Sequence, residues 1–224
     1  AEGRIGSAIS ADGNSCVLVE VNCETDFVSG GDQFADFVNK IAQLVLDNRP
    51  ENVDAIADLT MDDGQTVKAV REELLLQLGE NIQIRRFQII DNDGPIGQYL
   101  HGSRIGSVVA LDGGNDELAK DLAMHAAASN PQFLDADSVP GDVLEKEKEI
   151  LTAQAADSGK PADIIEKMIQ GRLRKHLAEI TFVGQPFVKD PDQTVEKLLK
   201  GANANIKQYI RMAVGEGIEK KEEN

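Results

Sequence analysis

Tryptophan is absent, aromatic residues make up only 4% of the chain, and 224 residues contain just two cysteines and three histidines. So few aromatics mean that any core must be aliphatic. At 41% hydrophobic, the chain holds enough Leu, Ile, Val and Ala to build one. Cys16 and Cys23 lie seven residues apart on what reads as one strand. They would point to opposite faces, because side chains alternate along a strand. A disulfide between them is therefore not expected, and nothing near them has metal-ligand spacing. Two reduced thiols fit a cytoplasmic protein. Positive charge is also short: Lys and Arg number 23 against 39 Asp and Glu, a formal charge of −16. Phosphate binding wants a basic face, which argues against direct nucleic-acid binding. A surface that docks on another protein fits better. No apolar run is long enough to cross a bilayer, so no membrane role is expected. No signal peptide is expected from its first residues. It begins with Ala in mid-pattern, which leads to the expectation that an N-terminal piece is missing.

The search for chemistry is also negative. His125 falls on the apolar side of a helix and reads as a satisfied, part-buried side chain, and His176 reads as solvated. No Ser–His–Asp order or nucleophile elbow is apparent, and there is no P-loop. Gly215-Glu216-Gly217 does not lead from a strand into a dinucleotide-binding helix. In so acidic a chain no pair of carboxylates can be singled out. The expectation is a protein that is not an enzyme and holds no metal or cofactor.

What is present is a succession of strands and helices grouped in short runs. Residues 5–10 and 16–22, joined through Asp12-Gly13, read as a β-hairpin. Val17, Val19, Val21 and Cys23 share the expected core face. Asp32 is offered as a helix N-cap, with Phe34, Phe37, Val38, Ile41, Leu44 and Val45 at helical spacing after it. Residues 67–78 form a second helix, with Gly79 where a C-terminal glycine belongs. A strand over 82–90, two more within 96–111 and a helix over 118–128 follow. Over 142–181 the pattern changes. Asp142 and Glu145 suggest a capping box, and two helices flank a short loop at 156–161. Ile165, Ile169, Leu173 and Leu177 form an apolar stripe on the second. A helix near 194–199 and a strand over 206–214 complete the chain.

A repeat underlies this order. Arg4-Ile5-Gly6-Ser7 before Asp12-Gly13 matches Arg104-Ile105-Gly106-Ser107 before Asp112-Gly113, and Asn81-Ile82 before Arg86 matches Asn205-Ile206 before Arg211. The expected class is α+β: two similar subdomains of antiparallel sheet plus helices, with a projecting antiparallel helical hairpin. The subdomains are expected at 1–94 and at 95–141 with 182–224, and the hairpin at 142–181.

The segment Val21-Asn22-Cys23-Glu24-Thr25-Asp26-Phe27-Val28 puts an acid beside a large aromatic where a strand stops and a helix begins. By residue type Phe27 reads first as core or staple, and Asp26 as a turn or cap residue. The alternative is a binding tip, in which an exposed Phe27 is covered by something else.

That segment resembles the signature of bacterial elongation factor Ts. Other motifs follow in the same order. They are Gly79-Glu80-Asn81-Ile82 with Arg85-Arg86, His101-Gly102-Ser103-Arg104-Ile105-Gly106, Ala123-Met124-His125, Ser158-Gly159-Lys160-Pro161, Gly184-Gln185-Pro186-Phe187-Val188 and Val214-Gly215-Glu216-Gly217-Ile218-Glu219. The resemblance covers essentially the whole chain. It implies a guanine-nucleotide exchange factor for elongation factor Tu, acting on that partner's GTPase domain. It also implies a family core without the N-terminal helical domain and the C-terminal extension. Thr25, Asp26, Phe27 and Val28 match the segment that enters the partner, dislocates Mg²⁺ and speeds GDP release. Leu78, Gly79, His101 and Val188 match other partner contacts, and Lys189 stands where an apolar residue also occurs in the family. A reading of another class is a scaffold that self-associates through the helical hairpin, motivated by the stripe at Ile165, Ile169, Leu173 and Leu177.

Overall fold

The computed structural model describes residues 1–218, so Glu219 of the last motif lies outside the described residues. In chain order the first elements are β1 (Glu2–Ile9), β2 (Ser15–Cys23), α1 (Asp26–Ser29), α2 (Asp32–Asn48), α3 (Val67–Leu78) and β3 (Gln83–Asp91). Then come β4 (Ile96–His101), β5 (Ile105–Asp112), α4 (Asp116–Ser129), α5 (Gly141–Ala155) and α6 (Ala162–Ile180). The last are β6 (Pro186–Phe187), β7 (Asp190–Thr194), α7 (Val195–Gly201) and β8 (Asn205–Ala213). Mixed helices and small antiparallel sheets make this an α+β fold. The chain divides into two compact units, one of Ala1–Ala127 with the residues from Ala204 on, the other of Ala128–Asn203.

Local chemistry sets most of these boundaries. Asp12 shapes the first hairpin: its Oδ1 accepts from Ser10 Oγ at 2.6 Å and from the Asn14 N–H at 2.9 Å. In α2 the helical stripe Phe34, Phe37, Val38, Ile41 and Val45 is buried. Two caps differ from expectation. The N-cap of α2 is Gly31, and Asp32 is the first helical residue. There its charge favours the positive helix end without closing a side-chain cap. The N-cap of α5 is Pro140, so Asp142 already lies in the first turn and the box with Glu145 does not form. Pro140 pre-sets the backbone angle and lets the helix begin before Asp142.

In the first unit the sheets run β1-β2-β3 and β4-β5-β8, antiparallel throughout. Val17, Val19 and Val21 of β2 pack under Phe34, Phe37, Val38 and Ile41 of α2. The opposite face of β2 is buried as well. Cys16 and Leu18 meet Ile5, Ile90, Val108, Ala110 and Ile210 in a second core shared by the two sheets. The sequence suggested one core face for β2, and the structure gives it two. Beyond the second sheet, α4 comes so close that a Cβ at Gly97 would lie 2.1 Å from the backbone of Ala119. His125 of α4 is fully buried.

The two sheets share strand order, and β3 corresponds to β8, as the Asn-Ile…Arg match implies. The Arg-Ile-Gly-Ser match is out of step. Arg4 to Ser7 lie on β1, an edge strand, whereas Ile105 to Ser107 lie on β5, the central strand of its sheet.

In the second unit α5 and α6 pack on one another through Leu151, Ala155 and Ile169, with Ile165 and Leu173 against them. Three members of the apolar stripe are thus engaged within this helix pair. His176 is half-buried, with Nε2 3.8 Å from a Glu147 carboxylate oxygen, and is not the solvated group expected. Among the described residues no helix is long and apolar enough to cross a membrane, and no group of three or more His, Cys, Asp or Glu is placed to hold a metal ion.

Candidate functional site

Between the end of β2 at Cys23 and the start of α2 at Asp32 the chain forms one helical turn, α1. Thr25 caps it: the backbone is extended there, and Oγ1 accepts from the Val28 N–H at 3.4 Å. Successive residues on a helix point about 100° apart. Val28 is packed on the core beneath and Ser29 is buried. Phe27 points the other way and is 91% exposed. Asp26 beside it is exposed too. The reading of Phe27 as a core residue, the first suggested by its type, does not hold.

The tip is tied to the end of α3. Thr66 caps the start of that helix, accepting from the Ala69 N–H at 3.2 Å. Gly79 ends it in the left-handed conformation, at φ 72°, where a side chain would be strained. The chain then turns and brings Glu80 onto the tip. One Glu80 oxygen accepts from the backbone N–H of Glu24 at 3.1 Å and of Thr25 at 2.9 Å, and the other accepts from Thr25 Oγ1 at 2.5 Å. In return the Asn81 N–H donates to the Glu24 carboxylate at 3.0 Å. The Thr25 hydroxyl, helped by the two N–H groups, holds the Glu80 carboxyl below the usual carboxylate range. At the far end of α1, Arg4 Nη1 donates to Ser29 O at 2.9 Å.

Burial, and then the negative charge of Glu80, push the Cys23 thiol up, away from the reactive thiolate. Burial pushes Cys16 up to about 12. An exposed aromatic on a braced turn can instead be buried in another surface, and removing a Phe side chain from water is worth about 1.5–3 kcal/mol.

The other candidate residues fall in several places. Leu78 packs on the core under α3, and Gly79 is exposed at the corner that delivers Glu80. His101 ends β4 on the second sheet, with Nδ1 3.3 Å from Tyr99 Oη. Val188 and Lys189 belong to the second unit, in the exposed turn between β6 and β7. Two features escaped the sequence reading. Glu80 sat inside a recognised motif without a role. Leu76, one of three consecutive leucines, is 82% exposed. Such a run on a helix cannot place every member on the core face, and that signal was available.

The fold and the site together define an α+β protein that presents an apolar tip, Phe27, on a turn braced by Glu80 and Arg4. The comparisons agree with the motifs quoted above. A family model described as Elongation factor TS matches residues 24–216. Elongation factor Ts of Halorhodospira halophila (strain DSM 244 / SL1) is 54% identical over 224 residues, all of this chain and 77% of that relative. Elongation factor Ts of Thioalkalivibrio sulfidiphilus (strain HL-EbGR7) is 53% identical over 226 residues, and that of Legionella pneumophila (strain Paris) 49% over 224, each covering all of this chain and 77% of the relative. The chain belongs to the elongation factor Ts family, whose members are factors of translation elongation.

Proposed function

We propose that this protein is a guanine-nucleotide exchange factor for elongation factor Tu. The observation that carries the reading is the exposure of Phe27 on a turn braced at both ends. In this account residues 25–28 enter a cleft between two helices of the partner's GTPase domain. Phe27 wedges between partner side chains, and Asp26 helps to hold the displaced helix. The displacement disturbs the coordination of the partner's Mg²⁺. Because that ion neutralises phosphate charge, its loosening speeds release of GDP. Leu78, Gly79 and His101 serve as further contacts on the same partner domain, and Val188 and Lys189 contact it from the β6–β7 turn. The setting for this exchange is the cytoplasm.

In this account no bond is made or broken. The thermodynamics are those of linkage. The factor and GDP each favour a partner conformation that the other disfavours, so each weakens the other's binding. A factor that bound both conformations equally would exchange nothing. The scaffold reading has less support, since Ile165, Ile169 and Leu173 of its stripe already pack on α5.

The test loads elongation factor Tu with fluorescent GDP and follows release into excess unlabelled GDP. This protein should speed release in proportion to its concentration and then saturate. Release at the spontaneous rate at every concentration would overturn the proposal.

A further inference from the structure

We propose that Glu80 is a positioning residue for the tip, holding the backbone of residues 24 and 25 so that Phe27 meets the partner in one attitude. This rests on the exchange reading above. An isolated four-residue helix cannot hold itself, because one turn fixes several torsions for a single hydrogen bond. Nor can packing aim Phe27, whose side chain is almost wholly in solvent. The aim must come through the backbone. At the start of α1, the groups that fix it converge on one carboxylate. The N–H groups of Glu24 and Thr25 and the Thr25 hydroxyl all donate to Glu80.

The Thr25 hydroxyl has two tasks. It accepts from Val28 to cap α1 and donates to Glu80 Oε2, so the cap and the clamp are one chain of hydrogen bonds. The bond from Asn81 N–H to Glu24 closes the arrangement from the other side. Glu80 reaches the tip because Gly79 reverses the chain at the end of α3. The Leu78-Gly79 corner thereby acts on the tip from within the protein, apart from any contact with the partner. Glu80 itself makes no contact with the nucleotide or the metal in this account; it acts through Phe27.

The experiment compares the wild type with Glu80→Ala, Glu80→Gln, Thr25→Val, Phe27→Ala and the double variant Glu80→Ala/Phe27→Ala. Each is scored by the saturating rate of fluorescent GDP release, its half-saturating concentration and the melting temperature. Glu80→Ala should lower the saturating rate about tenfold, in line with the cost of misplacing a group that must act in one geometry. Its melting temperature should stay close to that of the wild type. Glu80→Gln keeps an acceptor for the backbone N–H groups and should recover part of the rate. Thr25→Val, which removes the hydroxyl alone, should slow exchange with Glu80 intact. In the Phe27→Ala background, loss of Glu80 should change the rate little, because the two act through one group. The inference is overturned if Glu80→Ala exchanges like the wild type while Phe27→Ala is slow, or if the two losses multiply. Wild-type exchange by Phe27→Ala would instead overturn the tip reading, and this inference with it.

Discussion

Glu20 has no exposed surface, yet it remains charged. Burial pushes its carboxyl up, but the Gly215 N–H, Asn22 and Arg86 outweigh burial and hold it below the ordinary value of 4.5. Arg85 Nη1 at 2.8 Å and Arg86 Nε at 2.6 Å complete its hydrogen bonds. Removing one member of such a buried set leaves the others uncompensated. Glu20→Gln is expected to lower the unfolding free energy by about 3 kcal/mol, read from the midpoint of urea unfolding. The motif Arg85-Arg86 was legible in the sequence, but its partner was not, since Glu20 precedes Arg85 by 65 residues. The same limit hid the clamp: Thr25 and Glu80 stand 55 apart along the chain. Periodicity reports which face a residue takes within its own element, and it carries no information about such pairings. Phe27 shows the complementary failure. Residue type argued for the core, while its place at a strand end and the resemblance pointed outward, where the structure places it.

Elements were more legible than pairings. The stripe of α2, the glycine stop of α3 and the Asp-Gly hairpin follow from local rules, and their residues occupy the expected elements. The caps at Asp32 and Asp142 slipped because a glycine or a proline just upstream let each helix start earlier. The Arg-Ile-Gly-Ser repeat, though real in sequence, falls on an edge strand in one sheet and a central strand in the other. Topology, not motif, defines the correspondence between the sheets. Gly97 makes the contact between sheet and helix testable. A Cβ there would meet the backbone of Ala119 and Lys120, which cannot swing aside as a side chain can. Gly97→Ala should therefore cost about 1–3 kcal/mol by forcing α4 off the sheet. Thermal unfolding checks this, and a melting temperature equal to the wild type would contradict the packing.

At the scale of the molecule, stability and function rest on different residues. The two-sided burial of β2 was not read from the sequence, although Cys16-Val17-Leu18-Val19 is continuously apolar, as strands covered on both faces are. Its hairpin partner β1 was legible, but its other partner, β3, was not, because Gln83–Asp91 lies far along the chain. Acid should unfold the protein in a defined window. The Arg49 guanidinium, with Ser15, draws Asp91 from 3.8 to about 2, and the buried Glu20 is also drawn down. Groups lowered on folding contribute stability above their unfolded values and lose it as pH falls through their folded ones. Stability is thus expected to be flat down to about pH 5 and to decline from there toward about pH 2. Urea midpoints across that range measure it, and Asp91→Asn should flatten the acid end. The tip lies outside this ledger: Phe27 is exposed, so its removal should leave folding intact. The most direct test of the account is therefore the rate of fluorescent GDP release from elongation factor Tu with Phe27→Ala in place of the wild type. The account predicts exchange slower by about tenfold to a hundredfold, as the lost burial implies, with an unchanged melting temperature. Exchange at the wild-type rate by a folded Phe27→Ala protein would contradict it.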